Sequence, residues 1–202
     1  MLNTLRHGSA VVAIIVMAGG LTLASPAWAG QGPGETPGSS MQPVRIGTEF
    51  DVLPYATGGA YGSLILGRGA WRVRGVVSRV NVPEAFVADG FSDQRTDAIA
   101  LLADRFIGRR RDEGRGFWVG GGVEYWRTRI SRDGSEAYTA YNTTMLTAGG
   151  GYVWHLTRHV YLNPWAAAHA SIAGDRDVDV SGATFTPRRF TAEASLKLGI
   201  VF

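Results

Sequence analysis

The stretch from Phe190 to Phe202 constrains this chain more than any other. Its even positions (Phe190, Ala192, Ala194, Leu196, Leu198, Ile200, Phe202) are all apolar, while its odd positions carry Thr191, Glu193, Ser195, Lys197, Gly199 and Val201. Neighbouring side chains of a strand point to opposite faces, so this period of two predicts a long β-strand with one oily and one polar face. Such a strand meets a different medium on each side. The rest of the chain has to supply the partners that make it a wall.

Residues 1–29 read as a secretory signal peptide. Arg6 and His7 precede an apolar run from Ala10 to Met17, continued by Leu21 to Ala24. Ser25-Pro26-Ala27-Trp28-Ala29-Gly30 then offers an Ala-x-Ala site with cleavage expected after Ala29. The competing reading is a membrane-spanning helix, but Gly19-Gly20 interrupt the run short of the ~20 residues a span needs. Residues 30–43, rich in Gly, Pro and Ser and without a period, predict a flexible leader. There is no cysteine, which excludes a disulfide framework, a cysteine-linked lipid anchor and a thiolate metal site. An exported chain of this composition is held by its core or by a bilayer. Acids and bases nearly cancel (17 against 20), so nucleic acid is not indicated as a partner. Beyond residue 29 no stretch has the length and apolarity of a transmembrane helix. A membrane-spanning form would therefore be a closed barrel.

From Val44 onward eight strands are expected. The first, Val44 to Leu53, sets Val44, Ile46, Phe50 and Val52 against Arg45, Gly47, Glu49 and Asp51. The second, Ala60 to Gly67, is apolar on both faces and has no assignable orientation. The third, Ala70 to Val80, sets Trp71, Val73 and Val77 against Arg72, Arg74 and Ser78. Pro83 to Gln94 reads as a loop holding Phe86 and Phe91. The fourth strand, Arg95 to Ile107, competes with a short helix over Asp97 to Phe106, and an even strand count favours the strand. Gly108 to Gly116 is a charged turn, read as solvated and carrying its own acids. Phe117 to Ile130, Tyr141 to Leu156 and His159 to Ile172 complete the set before a polar loop, Asp175 to Arg189, and the closing strand.

Alternate apolar residues leading to a terminal Phe202 resemble the closing strand of bacterial outer-membrane β-barrels, and the strand count resembles the small OmpA/OmpX-like class. The resemblance implies an all-β fold: an eight-stranded antiparallel transmembrane up-and-down β-barrel over residues 44–202. It also implies outer-membrane location after export, outer-membrane lipid as surroundings, and recognition by the barrel-assembly machinery through the strand ending at Phe202. No cofactor is implied. The tight connections at Gly67 to Gly69 and Thr157-Arg158 fall on the side of the termini, as expected of periplasmic turns.

Alternation alone does not separate this fold from a soluble lipocalin-like barrel, which points its oily face inward. Aromatics on the oily faces gather at strand ends, with Trp71, Phe117, Tyr152, Trp154 and Phe202 at one and Tyr125 and Phe190 at the other. This is the girdle pattern of two interfaces. At ~3.3 Å per residue and a tilt near ~40°, Phe117 and Tyr125 would lie about 20 Å apart along the normal. With the oily face outward, the lumen receives Arg45, Glu49, Asp51, Arg72, Arg74, Glu124, Glu193 and Lys197. These are expected to pair as a charge network, and Gly120, Gly122, Gly149 and Gly151 to make room for Trp118, Trp126, Tyr161 and Trp165.

Few residues suggest chemistry. His169 and Ser171 share a strand face, and a His beside a Ser can act as its base. The pair is similar to the His-x-Ser of lipid A deacylase barrels, although Ile172 stands where that family continues with Asn and the pair is expected in the lumen. A metal site from His155, His159 and His169 fails on spacing. Gly120-Gly121-Gly122 and Gly149-Gly150-Gly151 lie inside strands and precede no helix, so they are not phosphate loops. The reading is a non-enzymatic barrel with a plugged polar lumen and an envelope-structural or loop-binding role. A narrow channel or small-ligand carrier is one alternative, and a lipid-modifying enzyme using His169 and Ser171 is the other.

Overall fold

The computed structural model describes residues 42–202; the expected signal peptide and nearly all of the expected leader lie outside the described residues. In chain order the elements are β1 (Arg45–Asp51), α1 (Val52–Ala56), β2 (Ala60–Arg68), β3 (Trp71–Asn81), β4 (Phe91–Phe106), β5 (Gly116–Arg132), β6 (Tyr138–His155), β7 (Val160–Gly174), β8 (Val178–Val180), β9 (Ala183–Phe185) and β10 (Phe190–Val201). Strands β1 to β7 and β10 pair antiparallel in sequence order, and β10 returns to β1 to close a barrel. Closure leaves no unpaired strand edge. At the seam Gly47 faces Val201, and the Phe202 amide donates to the Ile46 carbonyl at 2.9 Å.

Segment 95–107 is strand. It lies in register between β3 and β5, with Val77 opposite Ile99 and Asp104 opposite Gly120. A helix there would leave two neighbouring edges without partners, a cost that outweighs the helix propensity of Ala and Leu. The strand starts earlier than the pattern suggests, at Phe91, across a register shift between Ser92 and Arg95. The first strand ends earlier, at Asp51, whose carboxylate accepts from the Leu53 amide at 3.1 Å and so caps α1.

Strand faces alternate along most of the wall, with breaks at the register shifts of the β4–β5 and β6–β7 pairs and at Ile130-Ser131, where neighbouring residues are both buried. Val73, Val77, Ile99, Leu101 and Leu198 stand exposed on the outside, while Glu49, Arg72, Arg74, Asp104 and Lys197 are buried inside. The second strand turns Tyr61, Ser63 and Ile65 inward and Leu64 and Leu66 outward. At the end holding the termini, β2 and β3 are joined by Gly69-Ala70 alone, with Gly69 at φ +55, a conformation that side chains resist. In β7, Pro164 offers no amide hydrogen, and the β6–β7 ladder is interrupted there, between the pairs Gly151–Trp165 and Trp154–Leu162.

The last long connection is not the polar loop its composition suggests. Within residues 175–189, β8 and β9 form a hairpin whose Val178, Val180 and Phe185 pack on Ile130 and Tyr141 of β5 and β6. Phe91 belongs to this cluster, edge-on to Phe185 with ring centroids 5.1 Å apart, rather than to a free loop; Phe86 remains exposed.

Candidate functional site: the barrel interior

The interior is layered. Its deepest layer joins β1, β3 and β4. Arg72 donates through Nε to Asp104 Oδ2 (2.8 Å) and through Nη1 to Glu49 Oε1 (3.1 Å). Arg74 grips the same Asp104 with Nε (2.6 Å) and Nη2 (3.0 Å), a bidentate fork that matches the planar guanidinium to a carboxylate. Glu49 Oε1 also accepts from the Tyr161 hydroxyl and from Asn163 Nδ2, both at 2.9 Å. The Trp118 ring lies beside both guanidiniums, with centroids 5.0 and 5.1 Å away, and its Nε1 donates to Asn163 Oδ1 at 2.9 Å. Small neighbours make the space: a Cβ on Gly151 would come to 2.9 Å from Asn163 Oδ1 and from Trp118 Nε1. Gly120 lies against Asp104, and Gly199 lies directly under the Tyr161 ring.

Above this layer Asp51 accepts from Ser195 Oγ (2.5 Å), Trp165 Nε1 (2.9 Å) and the Leu53 amide. Lys197 Nζ sits 3.5 Å from the centroid of the Trp165 ring and 4.9 Å from that of Tyr61. A third group surrounds His169, whose Nδ1 meets Thr147 Oγ1 at 2.8 Å and whose Nε2 meets Glu193 Oε1 at 3.2 Å. Thr147 and Trp126 Nε1 donate to the two oxygens of Glu124 at 2.8 and 2.7 Å.

Of the eight charged residues expected to share one network, Glu49, Arg72 and Arg74 meet directly, and Asp51 binds neutral donors. Glu124 and Glu193 converge on His169 instead of on an arginine. Arg45 stands at the rim, donating to the carbonyls of Asp112 and Gly69. Asp104, which sequence reading left out, is the acid that organises both arginines; its signal is two basic residues, Arg72 and Arg74, at i and i+2 on the facing strand. His169 makes no hydrogen bond to Ser171, and its ring nitrogens are engaged elsewhere. His155 stacks on Tyr161 and His159 bonds the Val201 carbonyl, so the three histidines do not converge.

All seven girdle candidates, Trp71, Phe117, Tyr125, Tyr152, Trp154, Phe190 and Phe202, stand exposed on the outer wall. Phe117 and Tyr152 face each other across β5 and β6, edge to face at 4.8 Å. In the charged turn Arg110 donates to Glu113 at 2.9 Å, and that hydrogen bond holds the Glu113 carboxyl below its ordinary range. Arg115 lies within ion-pair distance of the same carboxylate.

Architecture and site together define the class: a small up-and-down β-barrel with its polar face inside and its apolar face outside. No family model matches the chain, nor does any curated protein. Among solved structures, the chain is similar to the N-terminal β-barrel domain of OprF from Pseudomonas aeruginosa, with a TM-score of 0.49 and 13% identity over 79% of this chain and 96% of that one. It is also similar to Neisserial surface protein A (NspA), with a TM-score of 0.46 and 13% identity over 78% and 94% of the two chains.

Proposed function

We propose that the protein is a non-enzymatic barrel of the bacterial outer membrane, its polar lumen plugged, serving envelope structure or presenting its long-connection end for binding. The observation that carries this reading is the pattern on the outer wall. Apolar outward rows run up to Val77, Ile99 and Tyr125, which lie side by side on β3, β4 and β5. The next outward row is charged, with Arg79, Asp97 and Arg127 in register and Arg79 Nε bound to Asp97 Oδ1 at 2.6 Å. At the opposite end Arg68 and Arg105 both pair with Trp71 across its strand. A continuous oily belt with charged borders on a closed wall matches a hydrocarbon slab between two polar surfaces. Water would favour the reverse arrangement. On this reading the termini and short turns lie in the periplasm, outer-membrane lipid surrounds the belt, and the strand ending at Phe202 engages the assembly machinery.

The test is gel mobility of the outer-membrane fraction with and without boiling in detergent. The expected result is a compact, faster-running band before boiling. A soluble periplasmic protein with no mobility shift would overturn the reading.

The filling of the lumen supports a plug over a pore. Glu49, Arg72, Arg74, Asp104, Trp118 and Tyr161 reach across from five strands, and an eight-stranded interior is only wide enough for side chains to fill. Planar-bilayer recordings of the refolded barrel are expected to show no unitary conductance. Stable single-channel steps would favour the narrow-channel alternative. The lipid-modifying alternative needs His169 and Ser171 to reach lipid, whereas His169 faces the lumen at 1% exposure.

A further inference from the structure

Just beyond the oily belt, at the end of the long connections, the outer wall of β3, β4 and β5 carries four arginines and one acid. Arg79, Asp97 and Arg127 lie side by side in one outward row, and Arg95 and Arg129 face each other in the next. Asp97 is spent on Arg79, whose Nε donates to Oδ1 at 2.6 Å, and among the described residues this is the one ion pair that the four arginines make. Asp97 also feels the charges of Arg95 and Arg129, so one carboxylate serves the whole group. The next acids along the chain are Asp93, in the register shift before Arg95, and Asp133 and Glu136 in the β5–β6 turn; all three are exposed.

For the bare protein this arrangement is unfavourable. Arg95 and Arg129 are direct cross-strand partners, and like charges opposite each other repel. Arg127 precedes Arg129 by two residues on the same face, so the three Cα atoms form a triangle with sides of roughly 5, 7 and 8 Å, within which long side chains reach a common anion. Arg127 is exposed. Arg129 is half-buried, its guanidinium 5.1 Å from the centroid of the Tyr138 ring, and its Nε is buried without a hydrogen-bond partner. An acceptor arriving from outside would remove both the repulsion and the orphaned donor.

The depth of the cluster says what that acceptor belongs to. Arg127 stands one step beyond Tyr125, and Arg95 and Arg129 one step further, at ~5 Å along the normal for each step. On an outward face this is the level of lipid headgroups. We propose that Arg95, Arg127 and Arg129 bind the phosphate of a phosphorylated glycolipid in the outer leaflet, whose acyl chains lie along the belt below Val77, Ile99 and Tyr125. The site rests on the outer-membrane reading, since only a membrane brings such a lipid to the wall. A phosphate monoester offers three oxygens to guanidinium forks and carries no cation of its own. At the opposite border Arg68 and Arg105 flank Trp71 instead of each other, and Arg105 lies over its ring at 5.4 Å, so no such cluster forms there.

The test is native mass spectrometry of the refolded, heat-modifiable barrel in detergent with diphosphorylated lipid A, with phosphatidylcholine and inorganic phosphate as comparison probes. One lipid A is expected to bind per barrel, about tenfold or more tighter than phosphatidylcholine and without displacement by excess inorganic phosphate. Arg95→Gln combined with Arg129→Gln should weaken it by about tenfold or more, whereas Arg68→Gln combined with Arg105→Gln, which removes the same charge from the other border, leaves it unchanged. The unboiled band verifies folding, and if the first pair does not fold, Arg127→Gln at its exposed position decides, with an expected loss of about threefold or more. Binding that is absent, unchanged in the folded variants, equally weakened by the Arg68 and Arg105 substitutions, matched by phosphatidylcholine or displaced by inorganic phosphate would overturn the site and leave the barrel reading standing. A soluble protein with no mobility shift would overturn both.

Discussion

Asp104→Asn is expected to destabilise the folded barrel by about 3–5 kcal/mol, measured as the shift in denaturant unfolding of the refolded protein. In the deepest layer two guanidiniums face two carboxylates, Arg72 and Arg74 against Glu49 and Asp104, and all four are nearly fully buried. The substitution preserves shape and removes one charge, leaving two cations to share Glu49. Arg74 suffers most: both of its hydrogen bonds go to Asp104, and its remaining carboxylate neighbour is 3.8 Å away. A second substitution distinguishes charge from packing. Adding Arg74→Met to Asp104→Asn returns the layer to one cation and one anion, with Arg72 still bound to Glu49 at 3.1 Å. The double variant should therefore be more stable than Asp104→Asn alone. If the two losses simply add, the layer is held by volume and not by ion pairing.

The outer wall and most of the lumen could be read from the chain because a wall between two media imposes a strong period of two. Where the lumen itself becomes apolar, the period vanishes. Tyr61 and Ile65 of the second strand point inward, Tyr61 onto Val76 and Leu102, so both of its faces are oily and no orientation could be assigned. The fourth strand illustrates a different limit. Leu102, Asp104 and Phe106 share the inner face, but Ala, Leu and Arg around them also suit a helix, and Asp104 was lost in that ambiguity. Pairing partners, which are non-local, decide such a segment. The β8–β9 hairpin escaped because three-residue strands carry too few alternations to stand out among Asp175, Asp177, Asp179 and Arg176. Its core forms only because Ile130 and Tyr141 project beyond the shorter strands, a consequence of β5 and β6 reaching 17 and 18 residues where β1 has 7. The interior clusters were legible as residue types but not as partnerships. Which acid meets which base depends on the stagger of closure, and that stagger is written in no single strand.

Gly199→Leu is expected to cost about 3–5 kcal/mol and to prevent or slow refolding, whereas Gly75→Leu leaves both nearly unchanged. The two glycines occupy similar strands on opposite faces. Gly199 points into the lumen directly opposite Tyr161 on β7, and any Cβ there would run into the tyrosine ring. The ring has no free direction to yield. Its hydroxyl donates to Glu49 at 2.9 Å, and its face stacks on His155 at 5.3 Å and 30°. Displacing it overpacks the deepest layer and also strips a donor from a buried carboxylate already close to two arginines. Gly75 points outward, and nothing lies within 4 Å of a Cβ built on it. If it lies within the oily belt as proposed, leucine there adds apolar surface to lipid and disturbs no neighbour. Equal losses at the two positions would mean that backbone freedom, and not room for Tyr161, is what glycine supplies at 199. A loss confined to Gly199, with Tyr161→Phe in the same assay removing only the hydrogen-bond part, would show that glycine is required there to seat the tyrosine on Glu49.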